Sequence, residues 1–95
     1  MDFDRVVFSG HAIRQMFLRG LKKDDILKVV TDGEVIIDYP YDKPYSSSLI
    51  LGFAGNIPIH VFLAMNVAQR TGIVVTAYIP DKKLWTEDFK TRRTQ

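Results

Sequence analysis

Residues 58–78, PIHVFLAMNVAQRTGIVVTAY, decide how this chain folds. Two runs rich in β-branched and aromatic residues, PIHVFLAM and GIVVTAYI, flank the polar segment NVAQRT and read as strands. A connection this short favours an antiparallel hairpin. If the hairpin closes symmetrically about its loop, Tyr78 stands opposite His60 and Thr76 opposite Phe62. Side chains alternate along a strand, so His60 shares a face with Phe62 and Ala64, while Ile59, Val61 and Leu63 take the other. A slip of one residue would reverse both faces.

Working outward, EVIIDY (34–39) and SLILGFA (48–54) are two further β-rich runs. The turn cluster PYDKPYSS separates them, and its two prolines end one element and delay the next. Gly55 and Asn56 join SLILGFA to PIHVFLAM, which completes a four-stranded, mainly antiparallel sheet. The strands are apolar on both parities in their middles, so helices should cover one face and something else should partly shield the other. Gly52 is expected near His60, leaving room for a substrate or a partner side chain.

Upstream lies FSGHAIRQMFLRG (8–20). Ser9 can cap a helix by accepting from a free backbone N–H, and Gly20 can end it. At 100° per residue, Ala12, Ile13, Met16 and Phe17 fall on one side, and His11, Arg14, Gln15 and Arg19 on the other. Asp24 or Lys23 opens a second helix whose Ile26, Leu27, Val29 and Val30 form an apolar stripe, with Gly33 after its end. The short run VVF before Ser9 reads either as an edge strand or as a lead-in to the helix. Downstream, PDKKLWTEDFKTRR can form a short C-terminal helix, with Trp85 and Phe89 spaced i, i+4 to pack back on the body. The expected architecture is α+β: two N-terminal helices, a four-stranded mainly antiparallel sheet and a short C-terminal helix, in one domain spanning 1–95.

Composition supports a packed domain. Of 95 residues, 46% are hydrophobic and 25% charged, which is ordinary for a globular chain and leaves no case for disorder. The absence of cysteine excludes thiol catalysis and disulfides and fits a reducing cytoplasm. The N-terminal residues lack the basic-then-apolar pattern of a secretory signal, and no apolar run has membrane-spanning length, so a cytoplasmic soluble protein with no membrane contact is expected. The formal net charge is only +2, but positive residues cluster in RQMFLRGLKK and KTRRTQ, and such patches can attract phosphate backbones. The alternative is a solvated basic surface.

His60 interrupts an apolar strand. A histidine there is either a hydrogen-bonded structural residue or a catalyst, and its neighbours decide which. A His and a Tyr beside arginines are the ingredients of phosphodiester cleavage: a base for the ribose 2′-hydroxyl, an acid for the leaving oxygen and cations for the developing charge. His11 and His60 could divide the acid and base roles, since imidazole titrates near 6.5; alternatively His11, at a helix start, only hydrogen-bonds to the strand that Asp38 or Asp42 ends. Arg14 and Arg19 suit phosphate, or pair with Asp24 and Asp25. Tyr39, Tyr41 and Tyr45 pack the turn or stack on unpaired bases. Nucleotide-binding loops, hydrolase elbows and metal-binding patterns are all missing, so neither a cofactor nor a metal is expected.

The series FSGHAIRQMFLRGL, GEVIIDYPYDKPYSSSLILG, IHVFLA and VVTAYIPDKKLWTEDFKTRR resembles the small bacterial family called domain of unknown function 4258. Its members look like relatives of RelE and BrnT type toxins, small α+β ribonucleases of toxin–antitoxin pairs, and often resemble toxins encoded beside a YgiT-type zinc-finger antitoxin. The family motifs fall on His11, Arg14 and Arg19, on Gly33 and Glu34, on Tyr39, Pro40, Asp42 and Pro44, and on His60, Tyr78, Pro80 and Trp85. Where members commonly carry a cysteine before the Leu-x-Leu-Gly strand, this chain has Ser48. The resemblance implies a RelE/BrnT-like fold and a metal-independent endoribonuclease toxin. Its catalytic candidates are His11, His60, Arg14 and Tyr78, with Arg19, Tyr39 and Asp42 binding substrate. RNA and a cognate antitoxin are the implied partners. A non-catalytic protein- or RNA-binding module is the rival expectation.

Overall fold

The computed structural model describes residues 3–94. In chain order its elements are β1 (Arg5–Phe8), α1 (Gly10–Arg19), α2 (Lys23–Asp32), β2 (Glu34–Tyr39), β3 (Ser47–Ala54), β4 (Ile57–Asn66) and β5 (Thr71–Tyr78). The strands form one mixed sheet in the order β1-β5-β4-β3-β2. β2 to β5 make the expected antiparallel meander, but the four-stranded, RelE/BrnT-like sheet is corrected to five strands. The Arg5–Phe8 run pairs in parallel with Thr71–Val74 at the sheet edge. The two helices carry the chain from β1 to β2 at the opposite edge, and the meander then returns it to β5, which gives the long connection that a parallel neighbour needs.

Ser9 turns the chain out of β1 and into α1. Its Oγ accepts from the Ala12 N–H at 3.0 Å and donates to the Val75 carbonyl at 3.1 Å, so one hydroxyl caps the helix and ties it to β5. Gly20 ends α1 in the left-handed region at φ 67, which favours a residue without Cβ. Both helices lie on one face of the sheet. Ala12, Met16, Ile26, Val29 and Val30 pack there against Ile50, Ile59, Val61, Leu63, Val74 and Ala77 as one aliphatic core. Gly52 belongs to this face: a Cβ on it would come within 2.7 Å of the Val29 side chain. The glycine therefore lets α2 approach the sheet and opens no space beside His60, contrary to expectation.

The α1 stripe is rotated from the one expected. Ala12 and Met16 enter the core, but Ile13 and Phe17 stay exposed on one flank. Arg19 sits on the opposite flank and donates from Nη1 to the Ala77 carbonyl at 2.7 Å. β1 stops opposite Val74, so the edge of β5 beyond it carries unpaired carbonyls. The Ser9 hydroxyl and the Arg19 guanidinium satisfy two of them, which draws that side of the helix inward.

The expected C-terminal helix does not form. Residues 80–94 run as a strap of turns over the other sheet face, closed by an antiparallel bridge between Trp85 and Arg92. Asp81 accepts from the Lys83 backbone N–H, and Asp88 accepts from the Lys90 N–H and the Thr86 hydroxyl. Such local side-chain bonds compete with helical ones. They also hold the Asp88 carboxyl below its usual range, the Thr86 hydroxyl most strongly. Trp85 and Phe89 still pack back on the body, through turns instead of a helical stripe.

Candidate active site

The strap and the sheet meet at His60. The β4–β5 register sets His60 opposite Tyr78 and Phe62 opposite Thr76, as symmetric closure of the hairpin requires. Past Phe62 it shifts by one residue, and Leu63 then pairs with Val74. On the other side Leu51 stands opposite His60. The imidazole is 0% exposed. The Trp85 ring meets it edge-on at 4.4 Å between centroids, and Tyr78 edge-on at 5.3 Å.

Both ring nitrogens are used. Nε2 lies 2.8 Å from the Phe89 carbonyl oxygen, which can only accept, so Nε2 carries the hydrogen. In the neutral ring Nδ1 is then an acceptor, and the Tyr78 hydroxyl donates to it at 3.1 Å. Burial lowers the His60 pKa and outweighs the Phe89 carbonyl, which favours protonation. Burial likewise raises the Tyr78 pKa, helped by Tyr39, while Arg92 and Arg19 pull it down to a lesser degree. The resting pair is therefore a neutral phenol donating to a neutral imidazole.

Tyr78 is where this buried pair reaches the surface. Together with Arg19, Asp81, Leu84, Trp85 and Arg92 it lines a groove of about 360 Å³. The Arg92 guanidinium lies over the Trp85 ring at 5.7 Å, a cation–π contact that orients it. Two cations and a polarised phenol thus face one open concavity. The two guanidinium groups suit an anion, beside the single Asp81 carboxylate, and Tyr78 is the member of the buried pair that lines the groove.

The other candidates lie elsewhere. His11 and Arg14 are exposed on the outer side of α1, on the helix side of the sheet, and their side chains make no hydrogen bond or ion pair with the described residues. His11 and His60 therefore do not share one concavity. Arg14 and Arg19 form no ion pair with Asp24 or Asp25. Asp42 accepts from the Ser47 hydroxyl at 2.6 Å and stitches the turn before β3. Tyr39 packs on Phe62, with ring centroids 5.5 Å apart, on the sheet face that holds His60. Tyr45 accepts from Asn66 at 3.2 Å, Tyr41 is exposed, and Ser48 donates to Asp38 at 2.7 Å. Among the described residues no group of three or more His, Asp or Glu could hold a metal, and no helix is long and apolar enough to cross a membrane.

Sequence reasoning missed Arg92 as a member of the site. It stands in a basic run where solvent exposure is the ordinary reading, and only the turn geometry of the strap brings it to Tyr78. The Phe89 carbonyl is a backbone group and carried no sequence signal at all.

The model for the domain of unknown function (DUF4258) matches residues 8–79. The chain belongs to this family. The match spans both helices and β2 to β5 and ends just after Tyr78, so Trp85, Phe89 and Arg92 lie beyond it. No curated protein and no solved structure matches the chain.

Proposed function

We propose that the chain is a metal-independent endoribonuclease, the toxin of a toxin–antitoxin pair, whose reacting groups face the Arg19–Tyr78–Arg92 groove. One observation carries the reading: Tyr78, whose hydroxyl donates to a neutral, buried His60, lines a groove together with two arginines. Arg19 and Arg92 hold the scissile phosphate and stabilise the charge that grows on it. The ribose 2′-hydroxyl gives its proton to the Tyr78 oxygen as the phenolic proton passes to His60 Nδ1. The resulting imidazolium keeps its Nε2–H bond to the Phe89 carbonyl. The 2′-oxygen bonds to phosphorus, the bond from phosphorus to the 5′-oxygen breaks, that oxygen takes a proton from water in the open groove, and the hydroxide left is neutralised by the proton that His60 returns through Tyr78. The products are a 2′,3′-cyclic phosphate and a 5′-hydroxyl.

Tyr39 and Phe62, on the same sheet face, offer rings for flanking bases. Arg14, outside the groove, adds to the field that attracts RNA. The toxin half of the reading rests on analogy, from the likeness of DUF4258 members to RelE and BrnT type toxins. A cognate antitoxin with acidic residues over the arginines would silence it. The test is cleavage of RNA by the purified chain in EDTA, with end analysis of the fragments. Tyr78→Phe keeps the ring and should lower the rate by about 10² or more, on the scale of lost acid–base catalysis. Arg19→Ala and Arg92→Ala should weaken substrate binding. Undiminished cleavage by Tyr78→Phe would remove the relay.

A second reading has its own observation. His60 also pins the strap to the sheet through the Phe89 carbonyl, a purely structural use of the same geometry. In a non-catalytic binding module, RNA would bind through Arg19 and Arg92 and remain intact, and Tyr78→Phe would leave affinity unchanged.

A further inference from the structure

The flank of α1 that turns away from Arg19 is left uncovered. Phe17 is 85% exposed and Ile13 57%. With Phe8, Met16, Leu21 and Lys23 they line a second concavity, also of about 360 Å³. Its floor is well packed, since Met16 is buried and Phe8 and Leu21 are half-buried. Covering a large apolar side chain such as Phe17 is favourable, so a helix that leaves it wet forgoes stability unless something else covers it.

Charge narrows what that occupant can be. α1 contains no acidic residue, Lys23 lines the concavity, and the exposed Arg14 and Lys22 are chain neighbours of the lining residues Ile13 and Leu21. Lys23 Nζ lies 5.5 Å above the Phe8 ring at the rim. Asp24 and Asp25 follow Lys23 in α2 but do not line the concavity. A second copy meeting this surface about a two-fold axis would set the same cations against each other. A nucleic acid would satisfy the lysines and leave Ile13 and Leu21 wet. A flat membrane surface would cover Phe17 but leave the concavity beside it unfilled, whereas an inserted side chain fills it.

We infer that this groove docks an amphipathic helix of a partner protein, one that inserts an apolar residue beside Phe17 and sets carboxylates against Arg14, Lys22 and Lys23. The recognition is helix-in-groove with an acidic rim. It is independent of the cleavage reading, because neither Phe17 nor Lys23 lines the Tyr78 groove.

The test is selection from a phage-displayed library of randomised helical peptides on the wild-type chain, with counter-selection on Phe17→Ser. Phe17 is exposed, so that variant keeps the fold, checked by circular dichroism. Enriched peptides should be acidic, with apolar residues at i, i+3 or i+4, and i+7. Amide shifts on titration should centre on Phe8, Ile13, Phe17 and Leu21. Lys23→Glu should weaken the best peptide about tenfold or more, the scale of a contributing interface residue. No Phe17-dependent binder, binders that are basic, a Phe17-dependent dimer in sedimentation, or Phe17-dependent pelleting with anionic vesicles in place of peptide binding would each overturn the inference.

Discussion

The two faces of the sheet are held in different ways. On the helix side, apolar side chains from α1, α2 and three strands interlock as one cluster. On the strap side, His60, Tyr78, Trp85 and Phe89 are joined by directed hydrogen bonds and ring edges, under a segment with no regular structure. The first arrangement is non-directional and tolerates swaps that conserve volume. The second depends on protonation state and on single atoms, and it lies where the surface groove opens. The helix side therefore carries most of the stability, and the strap side carries the groups capable of chemistry.

Neighbouring residues of β4 offer the largest contrast. Leu63 is fully buried on the helix side, while Phe62 is half-buried on the strap side. Leu63→Ala should cost about 2–5 kcal/mol, the range for truncation in a close-packed core. Phe62→Ala removes more atoms but should cost less than a fully buried phenylalanine would, ~2–3 kcal/mol, because part of its area is already wet and the gap left can open to solvent. Urea unfolding of both variants measures the difference. A larger loss at Phe62 would mean that the strap side is the main core and would break the comparison.

This contrast also governs how much could be read from the chain beforehand. The meander, the caps at Ser9 and Gly20 and the pairing of His60 with Tyr78 follow from alternation, turn residues and loop symmetry, all of which are local. The fifth strand escaped because four residues, Arg5–Phe8, carry little period and pair with a segment far along the chain. The strap escaped because its apolar spacing suits a helix, while Asp81 and Asp88 divert the backbone into turns. Ile13 and Phe17 carry the same core pattern as Met16. They are exposed because the β5 edge pulls the Arg19 side of α1 inward, a tertiary demand that no window of sequence contains. Among the candidate residues, the His60–Tyr78 pair was legible in the hairpin, whereas Arg92 was not.

Acid should act on the strap side alone. His60 has a lowered pKa in the folded chain because burial disfavours its charged form. Between that lowered value and the ordinary value near 6.5, the unfolded chain binds a proton that the folded chain does not. Stability from this group is therefore complete above about pH 6.5 and declines as the pH falls through the window towards the folded pKa. Protonation of Nδ1 also forces the Tyr78 hydroxyl to accept where it had donated. Denaturant midpoints measured from neutral to mildly acidic pH should show this slope, and His60→Gln should flatten it. Trp85→Ala, which opens the imidazole to water, should move the His60 titration upward towards its ordinary value by NMR. An unmoved titration would mean that the strap does not desolvate the ring.

The smallest effect should come from the ion pair that ties the strap to the sheet edge. Lys90 Nζ lies 3.0 Å from Glu34, with side chains 43% and 58% exposed. Exposed pairs of this kind contribute about 0–1 kcal/mol, because water screens the attraction and two long side chains lose freedom in making it. Lys90→Ala should therefore shift the unfolding midpoint little, and salt should erase even that. The value of the variant lies in what it separates. If His60 and Trp85 hold the strap, hydrogen exchange at Thr86, Phe89 and Arg93, whose amides bond within or next to the strap's own turns, will be nearly unchanged in Lys90→Ala and much faster in Trp85→Ala. Equal acceleration in both would make the strap an electrostatic flap, and the Tyr78 groove would then open and close with ionic strength.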